Sequence, residues 1–184
     1  MLVGITGTDG AGKGAVVDYL VKNASFTHYS SRALITAEIE KNGLPVNRET
    51  MRLVANQMRK EKGLGVIVVT ALEQMKSEGV ENAVIESIRA LAEVKELKAA
   101  NGILLAVDAD RKVRYKRISG RNSASDNVTF AEFVAQEEIE MNDPDPNGMQ
   151  KAAVMKAADY TIANSTSMKD LHAKIDSFLR SING

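Results

Sequence analysis

Residues 7–13, Gly7-Thr8-Asp9-Gly10-Ala11-Gly12-Lys13, fit the pattern G-x-x-x-x-G-K and lie between a short apolar run and a segment of helical periodicity. Glycines let a backbone curl until successive N–H groups point inward, a following helix adds partial positive charge, and a lysine reaches across the concavity. Such a loop cradles the β- and γ-phosphates of a nucleotide; the bland alternative is a glycine-rich strand-to-helix turn with a surface lysine. The position after the lysine, where a hydroxyl commonly ligands Mg²⁺, holds Gly14, and Ala15 follows. Magnesium at such a loop would be held mainly by phosphate oxygens and water, which Mg²⁺ tolerates. Asp9, inside the loop, would repel phosphate unless it points away or contacts a second substrate.

Other residues carry chemistry of the same kind. Glu86 ends the apolar stretch 82–86, where it could hold magnesium-bound water, take a proton, or simply bond nearby backbone. Arg89 follows at the start of a helix and could hold a phosphate or make a salt bridge. Arg111, Lys112, Arg114, Lys116, Arg117 and Arg121 make 110–121 the most basic stretch of the chain. A solvated helix face is the ordinary reading of such a run. Spacings of three and four put Arg114, Arg117 and Arg121 on one face if the helix persists, and that face could neutralise charge on a transferring phosphoryl group. Ser30, Ser31 and Arg32 follow the second strand, where open α/β sheets bind ligands beyond their strand ends. His28 and His172 have no partners at metal-ligand spacing, so no metal site is assigned.

The elements that must position these groups alternate between short apolar runs and longer helical-period segments, which predicts an α/β fold with a parallel sheet covered by helices on both faces. Strands are predicted at 2–6, 26–29, 82–86, 103–107 and 160–163. Helices are predicted at 13–23, 32–42, 48–62, 89–100, 110–120, 129–141 and 168–181. The run 66–72 is rich in β-branched residues, but its continuation toward Gly79 has helical length, so a buried helix is predicted there. Thr129 and Glu132 form a capping-box signature after the polar loop 121–127. Asp143-Pro144-Asp145-Pro146-Asn147-Gly148 is the strongest turn cluster.

Taken in order, these motifs resemble the nucleoside-monophosphate-kinase group of P-loop proteins, closest to its dephospho-CoA-kinase-related, adenylate-kinase-like branch, nearly end to end. Gly12-Lys13-Gly14 is similar to the adenylate-kinase loop, with Ala15 where a threonine is usual. The stretch from Ala83 to Arg89 resembles an apolar strand ending in Asp-Gly-x-Arg, with Glu86 and Arg89 in the charged places. Arg117-Ile118-Ser119-Gly120-Arg121 looks like the start of the lid whose two arginines close on the phosphate, and Ala158 to Asn164 looks like the last strand and the loop touching adenine. The resemblance implies a three-layer αβα P-loop NTPase fold with a five-stranded parallel sheet and a small helical lid at about 110–148. It implies ATP and Mg²⁺ as cofactors and Gly7, Asp9, Gly10, Ala11, Gly12, Lys13, Gly14, Ala15 and Asn164 at the nucleotide. Lys13, Glu86, Arg117 and Arg121 would serve catalysis, joined by Arg114 from its helical spacing, and Arg89 would serve the acceptor, with Arg32 as a substitute from a neighbouring position for a phosphate grip the family places nearby. Ala33 and Thr36 stand where adenylate kinases carry an aspartate and a phosphate-gripping arginine.

At 184 residues and 44% hydrophobic, the chain suits one domain with one substantial core. Lysine plus arginine equal aspartate plus glutamate at 24 each, so no overall field draws it to nucleic acid or to an acidic membrane. It has no cysteine, which excludes disulfides and thiolate metal sites and fits a cytoplasmic location. The leading expectation is an ATP-dependent kinase of a small nucleotide-like acceptor: a nucleoside or deoxynucleoside monophosphate or dephospho-CoA. The rival is a nucleotide-binding regulatory protein that has lost transfer, and a bare ATPase is a third reading. Oligomeric state is not legible.

Overall fold

The computed structural model describes residues 1–120, 128–141 and 150–183. Arg121 and the turn cluster at 143–148 lie outside the described residues.

The chain opens with β1 (Leu2–Gly7), every residue of which is buried. It enters α1 (Lys13–Ala24) through the glycine loop, then β2 (Thr27–Ser30), α2 (Ser31–Lys41), α3 (Arg48–Lys62), α4 (Val66–Ser77) and β3 (Ala83–Glu86). After α5 (Leu91–Ala99), β4 (Ile103–Asp108), α6 (Arg111–Ser119) and α7 (Phe130–Met141) come α8 (Lys151–Lys156), β5 (Tyr160–Ala163) and α9 (Met168–Asn183). The five strands form one parallel sheet in the order β2-β3-β1-β4-β5, with β1 central between β3 and β4. Parallel strands need crossovers, and the helices supplying them cover both faces, which is why the strands read as short apolar runs without clean alternation.

The period of two is visible in where the side chains go. Val3, Ile5, Val84, Leu105 and Val107 face a core shared with Val16, Val17 and Leu20 of α1 and Leu171 and Ile175 of α9. Leu2, Ala83, Ile85 and Leu104 face the other core, with Ile39, Ile67, Val68 and Leu97 from α2, α4 and α5. The ambiguous 66–72 run is helical because Val66, Ile67, Val68 and Ala71 recur at helical spacing and are all buried against the sheet.

Most bounds fall within two residues of expectation, and two differences are instructive, one helix start and one missed helix. The helix predicted at 89–100 starts at Leu91, because the carboxylate of Glu93 reaches back to accept from the N–H groups of Arg89 (2.7 Å) and Ala90 (3.0 Å). The helix α8 was not anticipated; six residues give too few turns to show a period. At 129 the capping box forms as expected, with the Thr129 N–H donating to Glu132 Oε2 at 2.7 Å and the Glu132 N–H to Thr129 Oγ1 at 3.3 Å.

Candidate functional site

All five strands point their C-terminal ends the same way, and β1 and β3 deliver the site there. At the end of β1, Gly7 has φ 138°, and a Cβ on it would stand 1.9 Å from the carbonyl oxygen of Val107. Only glycine fits this turn. Gly12 caps α1 at φ 96°, where a Cβ would meet the Asn164 side-chain nitrogen at 2.4 Å. Asn164 is buried and donates to the Ala11 carbonyl at 2.7 Å, tying the loop after β5 to the glycine loop.

Arg117 and Arg114 also meet the loop, but through its carbonyls. Arg117 donates to Asn164 O at 2.9 Å and to Gly10 O and Ala11 O at 3.4 Å. Arg114, buried, donates to Ala109 O at 2.9 Å and Asp9 O at 3.3 Å, and its fork closes on Glu137 of α7. Its guanidinium also sits 5.6 Å from the Phe133 ring centroid. Of the expected cationic face, Arg121 lies outside the described residues. Arg114 and Arg117 lie three apart as predicted, yet both are engaged with protein groups.

Lys13 crosses the loop, donating to Gly7 O (3.0 Å) and Thr8 O (2.9 Å), and lies 3.5 Å from Asp9 Oδ1. Burial lowers its pKa, and the Asp9 charge works against that shift. On the far side of Asp9, Lys151 donates to Oδ2 at 3.0 Å and also pairs with Glu140. Burial alone would raise the Asp9 carboxyl, but the Lys151 and Lys13 charges hold it well below the usual carboxylate range. The Thr8 hydroxyl donates to Asp108 Oδ1 at 2.5 Å, so it is committed to the end of β4.

Glu86 ends β3 with its carboxylate 3.1 Å from His28 Nε2 on the neighbouring strand. The hydrogen bond from His28 lowers its pKa, against a smaller opposing effect of burial. Ser31 donates to the Glu86 carbonyl at 2.9 Å. Ser87 follows at φ 70°, a left-handed conformation that costs a non-glycine residue roughly 1–2 kcal/mol. It turns the chain so that Glu86 and Arg89 line one cleft, and Ile88 secures the turn by donating its N–H to Ile5 O at 2.9 Å.

That cleft has a volume of about 710 Å³. It is lined by Gly12, Lys13 and Gly14 of the loop and the start of α1, by Arg32 of α2 and Arg59 of α3, by Glu86 and Arg89 at and after the end of β3, and by Lys151 of α8. It thus gathers Asp9, Gly10, Gly12, Lys13, Gly14, Arg32, Glu86 and Arg89 of the expected residues. Gly7, Ala11, Asn164, Arg114 and Arg117 stand behind the loop as its support, and Ala15 lies just inside α1. Among the described residues no group of three or more His, Cys, Asp or Glu side chains could hold a metal ion. Magnesium arriving with a nucleotide would be held mainly by phosphate oxygens and water.

Lys151, Arg59, Glu137 and Glu140 escaped the sequence reading. Lys151 is 142 positions from Asp9 on an unanticipated helix, and nothing local marks it. Arg59 sits in a run of charges on α3 that reads as a solvated face.

Residues 3–145 match a family model described as AAA domain, AAA_18. A UPF0200 protein of Pyrobaculum aerophilum is 30% identical over 181 residues, covering 97% of this chain and 96% of its own. The chain belongs to the AAA_18 and UPF0200 families. Another UPF0200 protein, from Pyrococcus horikoshii, is 29% identical over 99% of this chain and 97% of its own. Among solved structures, TT1252 from Thermus thermophilus aligns with a TM-score of 0.64 at 22% identity, covering 100% of this chain and 98% of that one. A dephospho-CoA kinase from Campylobacter jejuni aligns at 0.61 and 15%, covering 98% and 96%. A shikimate kinase from Bacteroides thetaiotaomicron aligns at 0.61 and 12%, covering 100% and 99%. At these identities the likeness establishes the fold: this UPF0200 chain has the P-loop kinase-like α/β architecture, a five-stranded parallel sheet with flanking helices. Among the described residues no helix is long and apolar enough to cross a membrane.

Proposed function

We propose that the chain is an ATP-dependent phosphotransferase whose acceptor is a small nucleotide or nucleotide-like molecule. The observation that carries this reading is the composition of the cleft: the glycine loop and Lys13 share one space of about 710 Å³ with Arg32, Arg59, Glu86 and Arg89. Three arginines besides Lys13 and the loop N–H groups give the cleft more cationic groups than one terminal phosphate occupies, which suits a second, acceptor phosphate. Clefts of roughly 300–1,000 Å³ hold small ligands.

In this reading Lys13 holds the β- and γ-phosphates, and the loop N–H groups and the start of α1 offset the remaining charge. Glu86, ionised at neutral pH, orients magnesium-bound water or accepts the acceptor's proton. Arg89 and Arg32 grip the acceptor, with Arg59 beside them. Arg114 and Arg117 act by fixing the loop carbonyls, and Arg121 is assigned by its spacing and by resemblance to close on the transferring phosphate. Catalysis then comes from positioning and electrostatics, the two resources phosphoryl transfer uses. The acceptors to test are nucleoside monophosphates, deoxynucleoside monophosphates and dephospho-CoA.

A second reading, a nucleotide-binding regulator without transfer, is favoured by one specific feature. Gly14 offers no hydroxyl to magnesium at the position that follows the loop lysine.

ADP release from Mg-ATP across an acceptor panel, with a no-acceptor control, separates the readings. Turnover with one acceptor class and none in the control is the expected result. Turnover in the control alone would make the protein an ATPase, and ATP binding without turnover on any acceptor would leave the regulatory reading standing.

A further inference from the structure

Two buried ammonium groups hold one carboxylate at the mouth of the glycine loop. Asp9 offers Oδ1 to Lys13 at 3.5 Å and Oδ2 to Lys151 at 3.0 Å. The cations are the fixed members: side-chain exposure is 13% for Lys13 and 7% for Lys151, against 47% for Asp9. Lys13 is anchored by the carbonyls of Gly7 and Thr8, and Lys151 by Glu140 of α7. The anion between them is the exposed partner, and its contacts to both lysines are side-chain contacts that a rotation about χ1 undoes. A carboxylate that gives one oxygen to each of two ammoniums occupies the place of a tetrahedral phosphate, which carries more charge and more acceptor oxygens.

We propose that Lys151 is a second phosphate-binding cation of this site, and that the Asp9 carboxylate is a resident counter-ion which a terminal phosphate replaces. The inference rests on the nucleotide-binding reading of the loop and adds to it a residue and an exchange. Glu140 balances Lys151 alone, and Asp9 is the one carboxylate that both ammoniums share, so it offsets the charge that Lys13 and Lys151 place at the loop. An arriving phosphate puts like charge against that carboxylate, and Asp9 turns toward solvent as the phosphate takes its two partners. No bond is made or broken; one anion replaces another. The phosphate belongs either to the donor triphosphate or to the acceptor, and ligands ending in different phosphates tell these apart.

The test is calorimetric titration of the full chain with Mg-ATP, Mg-ADP and a nucleoside monophosphate, for the natural protein, Asp9→Asn, Lys151→Gln and Lys13→Ala. Asp9→Asn is expected to tighten the ligand whose phosphate enters the two-lysine site by about tenfold and to leave the others within about twofold. Lys151→Gln is expected to weaken that same ligand by about tenfold. A gain confined to ATP assigns the site to the donor's γ-phosphate, and a gain confined to the monophosphate assigns it to the acceptor; either supports the exchange. The proposal is overturned if Asp9→Asn leaves all three affinities unchanged or weakens them, a result that needs no folded Lys151 variant. ATP binding that Lys13→Ala abolishes would uphold the nucleotide reading even then, whereas no nucleotide binding by any variant, Asp9→Asn included, would sink both.

Discussion

Lys13 is bound at both ends of its reach, by two loop carbonyls behind it and by Asp9 beside it, and its replacement shows what the loop needs from it. Lys13→Ala is expected to lower turnover by about 10²- to 10³-fold, the cost of removing one preorganised donor, with the far-UV circular dichroism unchanged. Glu86 gives a pH signature. Its folded pKa lies below the ordinary glutamate value of 4.5, so its stabilising contribution is complete above 4.5 and is lost as pH falls through the lower folded value. His28→Ala removes the leading cause of that depression, so the acid limb of the kcat/KM profile should move to higher pH. A profile that stays in place would show that His28 does not govern Glu86. The residues on the glycine loop were legible because their function demands a contiguous pattern. Lys151 and Glu137 were not, since a pair brought together across 142 or 23 positions leaves no mark in either neighbourhood.

Helices make the loop stiff. Arg114 of α6 and Glu137 of α7 are both buried and close a fork-to-fork pair; removing Glu137 takes the bidentate partner from Arg114 and leaves it only Asp108, at 3.7 Å, as an acid. Glu137→Ala is expected to cost about 3–5 kcal/mol in urea unfolding, a large share of the stability of a single domain. The start of α1 makes the opposite kind of prediction. A Cβ at Gly14 meets nothing within 4 Å, so crowding does not explain its missing hydroxyl. Gly14→Ser should raise helix stability by up to about 0.5 kcal/mol and, under the kinase reading, strengthen the magnesium dependence of ATP binding. At this scale the sequence was informative for every strand and for the longer helices, because hydrophobic period and length agreed. It was silent on α8, and it placed the start of α5 two residues early because Glu93 reads as an ordinary helical acid until its caps at Arg89 and Ala90 are seen.

At the scale of the molecule the central position of β1 puts the glycine loop at the middle of the sheet, between walls contributed by both halves of the chain. Ligand in that cleft ties the halves together. Mg-ATP at a hundred times its dissociation constant should stabilise the fold by about 2.7 kcal/mol, a rise in Tm of about 5–10 °C for a chain of this size. Thermal unfolding with and without nucleotide reads it directly. The α/β class and parallel sheet were legible from alternation alone, whereas the strand order was not, because a crossover's length does not say which neighbour it reaches. That order has a consequence on the ribosome. β1 pairs with strands that begin at Ala83 and Ile103, and β2 pairs only with β3. β1 waits about seventy-five residues of elongation and β2 about fifty, roughly 4–15 s and 3–11 s at ordinary translation rates, with no sheet partner yet made. The segment that carries the glycine loop is thus born first, waits longest as an unpaired apolar strand, and depends on the timing of β3 to avoid pairing with another nascent chain.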